Sequence, residues 1–421
     1  MKTAPFWTDT LPRPELPQME LPAVTDVAVI GGGYTGLNAA RVLARANINV
    51  VVLERYTVGW GASSRNSGIV TTGNKQAIQR FFRRRGAELT QPIWRAALDA
   101  VDLVGEIIAD EGLACDFRRR GHITLALKPR HVASLQAQAD WFAERLGHQM
   151  QVLSAAALRE EIGSDRYYGG VVDEWGATLN PAAYAYGLAQ VARRYGAKIC
   201  ENARVTRVEW LPHGFNLYTS QGMVQAQEVV LATNGYTDGL IRPLRTTTIP
   251  VGNYSIVTEP LPPAQQEALS PNGRAFFDSR RSLHYFRLTP DGRLLLSGRT
   301  HWTLDGDPID SAKYLCTQMA KTFPMLRDIP ITHSWSGQLG MTFDGLPRLG
   351  RGAGVHYALG YNGYGVAMAT YLGTELGLLL SRQKTHSPFL ELPHQRKFYY
   401  RKRPWFLPMA ITGLRLLDWL A

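Results

Sequence analysis

A chain of 421 residues, 45% hydrophobic and 19% charged, has ordinary globular composition but is too long for one simple core, so two intimately packed domains are expected. No stretch reaches the roughly 18 uncharged apolar residues of a spanning helix, and the scattered Cys115, Cys200 and Cys316 exclude a disulfide framework and fit a reducing cytoplasm. The formal net charge of +11 gathers in basic runs at Arg80 with 83–85, at 118–120 and at 396–403; these read as solvated faces, with an anionic membrane surface or acidic partner as the alternative, and no module for binding nucleic acid accompanies them.

Residues 1–22 are proline-rich, with no apolar run behind Lys2, which predicts a surface arm in extended form and not a signal peptide. Residues 27–30, Val-Ala-Val-Ile, are a continuous apolar run suited to a buried parallel strand. Gly31-Gly32-Gly33-Tyr34-Thr35-Gly36 follows at once with the GxGxxG spacing, then an amphipathic helix over 37–46, then a second strand over 48–54 that ends in Glu54 and is followed by Arg55. Each part has a mechanical reason. Gly31 permits the turn, Gly33 admits a pyrophosphate to the backbone, and Gly36 lets the helix lie close on the strand. Tyr34 and Thr35 lie in the same loop, before a helix whose unpaired N–H groups and positive dipole end suit phosphates, and Glu54 is placed to accept from an adenosine ribose. Strand, loop, helix, strand and terminal acid in this order mark a dinucleotide site.

Further along, residues 59–68 form a small-residue loop in which Gly61, Ala62, Ser63, Asn66, Ser67 and Gly68 offer hydroxyls and backbone donors to a long cofactor. Helical periodicity over 95–112 and 131–146 predicts caps for a second domain, and alternation over 166–174 and 274–300 predicts an antiparallel sheet. Residues 229–235 read as a buried strand ending in Ala232, Thr233, Asn234 and Gly235. Asp344-Gly345-Leu346-Pro347 precedes a strand at 356–359, which opens into a loop ending Gly363-Tyr364-Gly365 and an apolar helix over 366–380. That second glycine-rich helix start is a further anion site, suited to the charge that a reduced flavin develops near N1 and the C2 oxygen. The tail from 394 mixes basic and aromatic residues and ends in a Leu-rich segment at 414–420, read as a docked terminal helix with contact to a bilayer as the alternative.

These motifs, spread over nearly the whole chain, resemble the D-amino-acid oxidase family of flavoenzymes: the Gly31–Gly36 loop with Glu54, GASSRNSG from Gly61, LATNG from Leu231, DGLPRLG from Asp344 and GYNGYG from Gly360. The segments at 250–254 and 283–293 are most similar to the gamma-glutamylputrescine-oxidase branch. The resemblance implies an α/β fold: a doubly wound, Rossmann-like FAD-binding domain of residues 1–90, 152–245 and 336–421, and a substrate domain of 91–151 and 246–335 on a large antiparallel or mixed sheet. It also implies a backbone contact from Val205 on the adenine side and FAD as cofactor. With no Cys near the last glycine-rich loop and no His before His122, the FAD is expected to be non-covalent. Departures are equally specific. Leu339 stands where D-amino-acid and glycine oxidases carry an arginine for the substrate carboxylate. Val366-Ala367 stands where sarcosine oxidases carry a lysine for it, and the strand 294–298 lacks the lysine associated with oxygen reactivity.

The chemistry expected is hydride transfer from an amine-bearing carbon to flavin N5, giving an imine that water hydrolyses. Releasing a hydride requires a neutral amine, which an apolar or aromatic pocket favours. Tyr254, Tyr285 and Trp302 are candidates for its walls and Arg287 for holding a distal carboxylate, with His284 and His301 weaker candidates. Expected partners are a small amine or amino acid and, as electron acceptor, oxygen or a quinone. The expected location is the cytoplasm, with a peripheral place at the inner membrane face through the tail as the variant. Two other readings stay open: a flavin-dependent hydroxy-acid dehydrogenase, and a flavoprotein subunit of a larger redox complex.

Overall fold

The structure is a computed structural model that describes residues 1–17, 19–280, 283–299, 306–392, 397, 399–400, 404–410 and 412–413. Two eight-stranded sheets organise it. The centre of the first is parallel and runs Val355–Leu359, Gly222–Leu231, Val24–Ile30, Val50–Leu53, Lys198–Cys200. Arg348–Gly352 closes one edge in antiparallel sense, and the hairpin Val205–Leu211 with Gly214–Thr219 extends Gly222–Leu231.

The apolar runs of this sheet are continuous because both faces are covered. Val27 and Val29 pack under the helices Tyr34–Arg45, Pro181–Arg194 and Gly365–Leu380. Ala28 and Ile30 point the other way, against Phe215 and Leu217 of the hairpin. The helices Tyr34–Arg45 and Gly365–Leu380 nearly touch backbones: a Cβ on Gly373 would lie 2.4 Å from the Thr35 carbonyl oxygen, and one on Gly377 would lie 2.5 Å from Val42 Cβ.

The second sheet is mixed, in the order Ile331–Met341, Ile249–Thr258, Leu294–Gly298, His284–Leu288, Ala275–Asp278, His122–Leu125, Gly169–Asp173, Gln151–Ser154. All its pairs are antiparallel except Ala275–Asp278 with His122–Leu125. One face is apolar, with Tyr254, Ile256, Phe276, Phe286 and Leu296 packed on Leu315 and Met319 of the helix Pro308–Thr322. The expected boundaries place Gln151–Ser154 (apart from its first residue) and Gly169–Asp173 with the cofactor-binding half and divide the chain at 335/336. Both strands instead hydrogen-bond into the second sheet, and Ile331–Met341 continues through that boundary.

A helix predicted from residue 95 begins at Lys75 and runs to Glu111, with Gly86 at φ 78° marking a kink. Arg80 and Arg83–Arg85 are exposed on it, a solvated basic face. The N-terminal arm is not wholly extended. Phe6–Thr10 is a short helix with Phe6 and Trp7 buried, and Lys2 exchanges backbone hydrogen bonds with the strand Ile331–Met341. Among the described residues, no helix is long and apolar enough to cross a membrane.

Candidate functional site

The two sheets share a cavity of about 410 Å³. At its inner end the strand Val24–Ile30 breaks into the glycine turn. Gly31 has φ 113°, and a Cβ there would sit 2.9 Å from the Ala232 carbonyl oxygen. A Cβ on Gly36 would lie 2.0 Å from the Gly31 carbonyl oxygen, so this glycine packs behind the turn and does not line the cavity. Gly33 has no side chain with which to cap the helix Tyr34–Arg45, so first-turn N–H groups beyond that of Tyr34 are left for an anion. Ser63 Oγ accepts from Tyr34 N at 3.1 Å, and the Tyr34 hydroxyl donates to Ser63 O at 2.6 Å, fastening the second loop over the first.

Glu54 lines the cavity at the end of its strand, its carboxylate accepting from Gly32 N at 2.7 Å and Tyr56 N at 2.9 Å. Burial raises its pKa above the usual carboxylate range, against those backbone donors. Arg55 and Val205 border the same end, with Arg55 paired to Asp238 at 2.6 Å.

The 59–68 loop turns through a short 3-10 segment, Ala62–Ser64. Asn66 ties it together, donating to Ala62 O at 2.9 Å and Ser63 O at 3.0 Å while its own oxygen accepts from Gly68 N at 2.7 Å. Gly61, Ala62, Ser63, Asn66 and Ser67 line the cavity; Gly68 does not, being pressed on Leu179, whose carbonyl oxygen a Cβ would meet at 2.0 Å.

Arg287 lies away from the cavity. Its Nε donates to Ser67 O at 2.6 Å, its Nη2 donates to Leu179 O at 2.7 Å, and its guanidinium covers the Trp7 ring at 5.1 Å. The expected carboxylate clamp is thus a brace for the cofactor loop. Two residues along a strand from Tyr285, Arg287 shares its face but is displaced by roughly 6.6 Å, enough to put it under Ser67.

The opposite wall is the loop before Gly365–Leu380. Asn362 (φ 56°) accepts from Thr342 N at 2.8 Å, and Asn234 accepts from Gly360 N at 2.9 Å. Gly363, Tyr364 and Gly365 line the cavity at the start of a second helix without a side-chain cap. Ala232 and Thr233 line it too, whereas Gly235 is wedged on the Leu339 backbone, 2.8 Å from a Cβ. Asp344 also supports from behind, bonding Arg348 Nη2 at 2.5 Å and accepting from Leu346 N at 3.2 Å.

The second sheet roofs the cavity with its polar face. Asn253, Phe277, Tyr285, Arg299 and Leu339 line it, and Asn253 Nδ2 donates to the Tyr285 hydroxyl at 2.8 Å. Tyr254 is on the other face, fully buried in the apolar core. The register explains the difference: Tyr254 pairs with Gly298 and Tyr285 with Ser297, so the two tyrosines project to opposite sides. His284 is likewise on the core side, its backbone N–H donating to Asp278 at 3.1 Å. His301 and Trp302 lie outside the described residues. Arg299 escaped the sequence reading, which closed its strand at Gly298; the signal was parity, since 299 shares a face with Ser297 and hence with Tyr285.

Two helix N-termini meeting at one cavity between a parallel and a mixed sheet fit a long dinucleotide, one facing its central pyrophosphate and the other a site of negative charge further along it. The family model described as FAD dependent oxidoreductase (DAO) matches residues 26–377. The chain belongs to that family. As a DAO flavoenzyme it is an oxidoreductase with FAD as cofactor, and the resemblance drawn from the motifs holds. It is 32% identical over 374 residues to "Gamma-glutamylputrescine oxidoreductase" of Escherichia coli (strain K12), covering 88% of this chain and 87% of that one. It is 32% identical over 366 residues to "Probable oxidoreductase OrdL" of Haemophilus influenzae, covering 86% and 83%. Among solved structures, glycine oxidase from Geobacillus kaustophilus superposes with a TM-score of 0.76 at 23% identity, over 89% of this chain and all of that one; this likeness is one of fold.

Proposed function

We propose that this DAO flavoenzyme oxidises an amine or amino acid bound between the FAD and the roof formed by Tyr285 and Phe277. The observation that carries this reading is the cavity itself, with both helix N-termini at one side and a partly apolar roof at the other. The residues assigned to FAD are Gly31, Gly33 and Thr35 for the pyrophosphate, Glu54 for the ribose, Ala62, Ser63, Asn66 and Ser67 beneath the ring, and Gly363, Tyr364 and Gly365 at its anionic edge. Bound FAD supplies the two-electron oxidising power for conversion of the amine to an imine, which water hydrolyses. The protein's part is to hold the amine in its neutral form, for which Phe277, Leu283 and Leu339 offer an apolar surround. Similarity to a protein named gamma-glutamylputrescine oxidoreductase supports trying gamma-glutamyl amines first. The division into a cofactor unit on the first sheet and a substrate unit on the second belongs to the same proposal.

An anaerobic absorbance titration of the FAD-loaded protein with amines, gamma-glutamyl amines, amino acids and hydroxy acids tests it. Bleaching by one amine class is the expected result. Bleaching by hydroxy acids alone would replace the reading, and admission of air distinguishes oxygen from a quinone as acceptor. A place at the cytoplasmic membrane face is supported by Trp405 and Met409, 59% and 68% exposed beside the basic tail; the segment 414–420 itself lies outside the described residues. Sedimentation with anionic liposomes at low salt is expected to carry the protein down, and a protein left in the supernatant would remove this part of the proposal.

A further inference from the structure

Among the described residues, three guanidiniums line the cavity, and two of them are engaged. Arg55 is paired with Asp238. Arg65 donates to Trp60 O at 2.8 Å and Ser336 O at 3.2 Å and covers the Trp60 ring. Arg299 is different. Among the described residues it makes no hydrogen bond and no ion pair, although burial is deep enough to lower its pKa. Among the described residues, the acids on the cavity wall are Glu54 and Asp238, both at the first-sheet end and already bonded to Gly32, Tyr56 and Arg55. Among the described residues, the phenols Tyr285 and Tyr364 line the same cavity and are the titratable groups whose charge acts on Arg299. The Tyr285 hydroxyl accepts from Asn253 at 2.8 Å and also hydrogen-bonds Ser297, which fixes the phenol on the cavity side of the roof. A half-buried cation on the cavity wall beside two phenols, with no acid partner among the described residues, suits an anion supplied from outside the chain.

We infer that Arg299, framed by Tyr285 and Tyr364, anchors a carboxylate of the substrate, so that the amine oxidised here carries an acid group. The guanidinium fork matches a carboxylate with two parallel N–H donors, and Tyr285 stands on the same sheet face beside it. This deepens the proposed amine oxidation and rests on it. It also answers the two departures in the sequence: Leu339 and Val366-Ala367 cannot hold a carboxylate, whereas Arg299 lines the cavity at the end of a different strand of the roof, Leu294–Gly298.

The test uses the FAD-loaded enzyme, Arg299→Gln and Arg299→Lys. Each is titrated calorimetrically with butanoate and with its neutral isostere butanamide, and FAD affinity is measured for all three proteins. Turnover is followed with amino acids of increasing spacer, from glycine to 6-aminohexanoate, each against its carboxamide. Butanoate is expected to bind the native enzyme and to weaken by about 10- to 100-fold in Arg299→Gln, with a smaller loss in Arg299→Lys and butanamide unchanged. The best acid is expected to lose kcat/KM by a similar factor, mostly through KM, while its amide does not. Equal butanoate binding in native and Gln proteins, or a native enzyme indifferent to acid against amide, overturns the anchor. Loss of FAD affinity with carboxylate preference intact also overturns it, by giving Arg299 to the cofactor. Should Arg299→Gln fail to fold, Arg299→Lys decides: it keeps the charge and loses the fork, so undiminished butanoate binding rejects the anchor as drawn. If butanoate binding depends on Arg299 yet no amine bleaches the flavin, amine oxidation fails and the anchor stands.

Discussion

Arg287 and Arg299 lie on neighbouring strands of one sheet and do opposite things. The first is saturated by two carbonyls and an indole; the second faces an open cavity. Arg287→Met is therefore expected to leave the Ser67 and Leu179 carbonyls unpaired and to cost about 3 kcal/mol of stability, with weaker FAD binding and unchanged preference among substrates. Chemical denaturation and an FAD titration check this, and an unchanged FAD affinity would contradict the bracing role. His122 offers a second case. It is buried beside Asp173, which is held by Lys75 at 2.6 Å and His148 at 3.2 Å. Burial, helped by Lys75 and opposed by Asp173, lowers the His122 pKa from 6.5 to about 4. Between those values the unfolded chain takes up a proton that the folded one refuses, so stability falls as the pH drops from 6.5 toward 4, by about 3 kcal/mol in all. Asp173 does not titrate in that window, because Lys75 and His148 outweigh its burial and keep its pKa well below the usual range. Urea denaturation at pH 7 and pH 4.5 is expected to show the fall, and His122→Asn to flatten it.

At the level of elements, the approach of Gly365–Leu380 to Tyr34–Arg45 is what aims two helix N-termini at the same cavity. Gly373→Leu drives a side chain into the Thr35 backbone, 2.4 Å from where its Cβ would be. A protein that folds with a loss of about 1–3 kcal/mol but is isolated without FAD is the expected outcome, read by melting temperature and by absorbance; full flavin content would show that the helix pair tolerates separation. Much of this was legible in the sequence. The apolar runs at 27–30 and 229–231 are strands because both faces are buried, and the glycine spacing at 31–36 and 360–365 marks the turns. Pairing partners were not legible. Period-2 alternation assigns two faces to each strand without saying which face meets the cavity, so Tyr254 and Tyr285 looked equivalent until Gly298 and Ser297 were seen opposite them. Sheet membership is a long-range property as well: alternation over 166–174 indicates the antiparallel sheet that holds Gly169–Asp173, while a boundary drawn at 151/152 along the chain divides Gln151–Ser154 and assigns the rest to the other half.

For the whole molecule, the cavity lies where the two sheets meet, so a cofactor that fills it ties together segments from residue 31 to residue 365. Removal of FAD is expected to lower stability throughout the chain rather than at one loop. At 100 times its Kd, added FAD is expected to restore about 2.7 kcal/mol, seen as a rise in melting temperature of the apoprotein that follows the logarithm of FAD concentration. A melting temperature indifferent to FAD would mean that the cavity binds something else.

The short helix Phe6–Thr10 has a consequence for how the protein is made. Its Trp7 donates to Asn66 O at 2.9 Å and lies under Arg287, and Asp9 meets His333 at 3.0 Å. During translation these residues leave the ribosome long before His333 exists. For most of that time they have no seat, and the loop that Arg287 and Trp7 hold together has no brace. The order of synthesis thus runs against the order of assembly: the early segment is among the last to lock, and a finished cofactor loop must await a nearly finished chain.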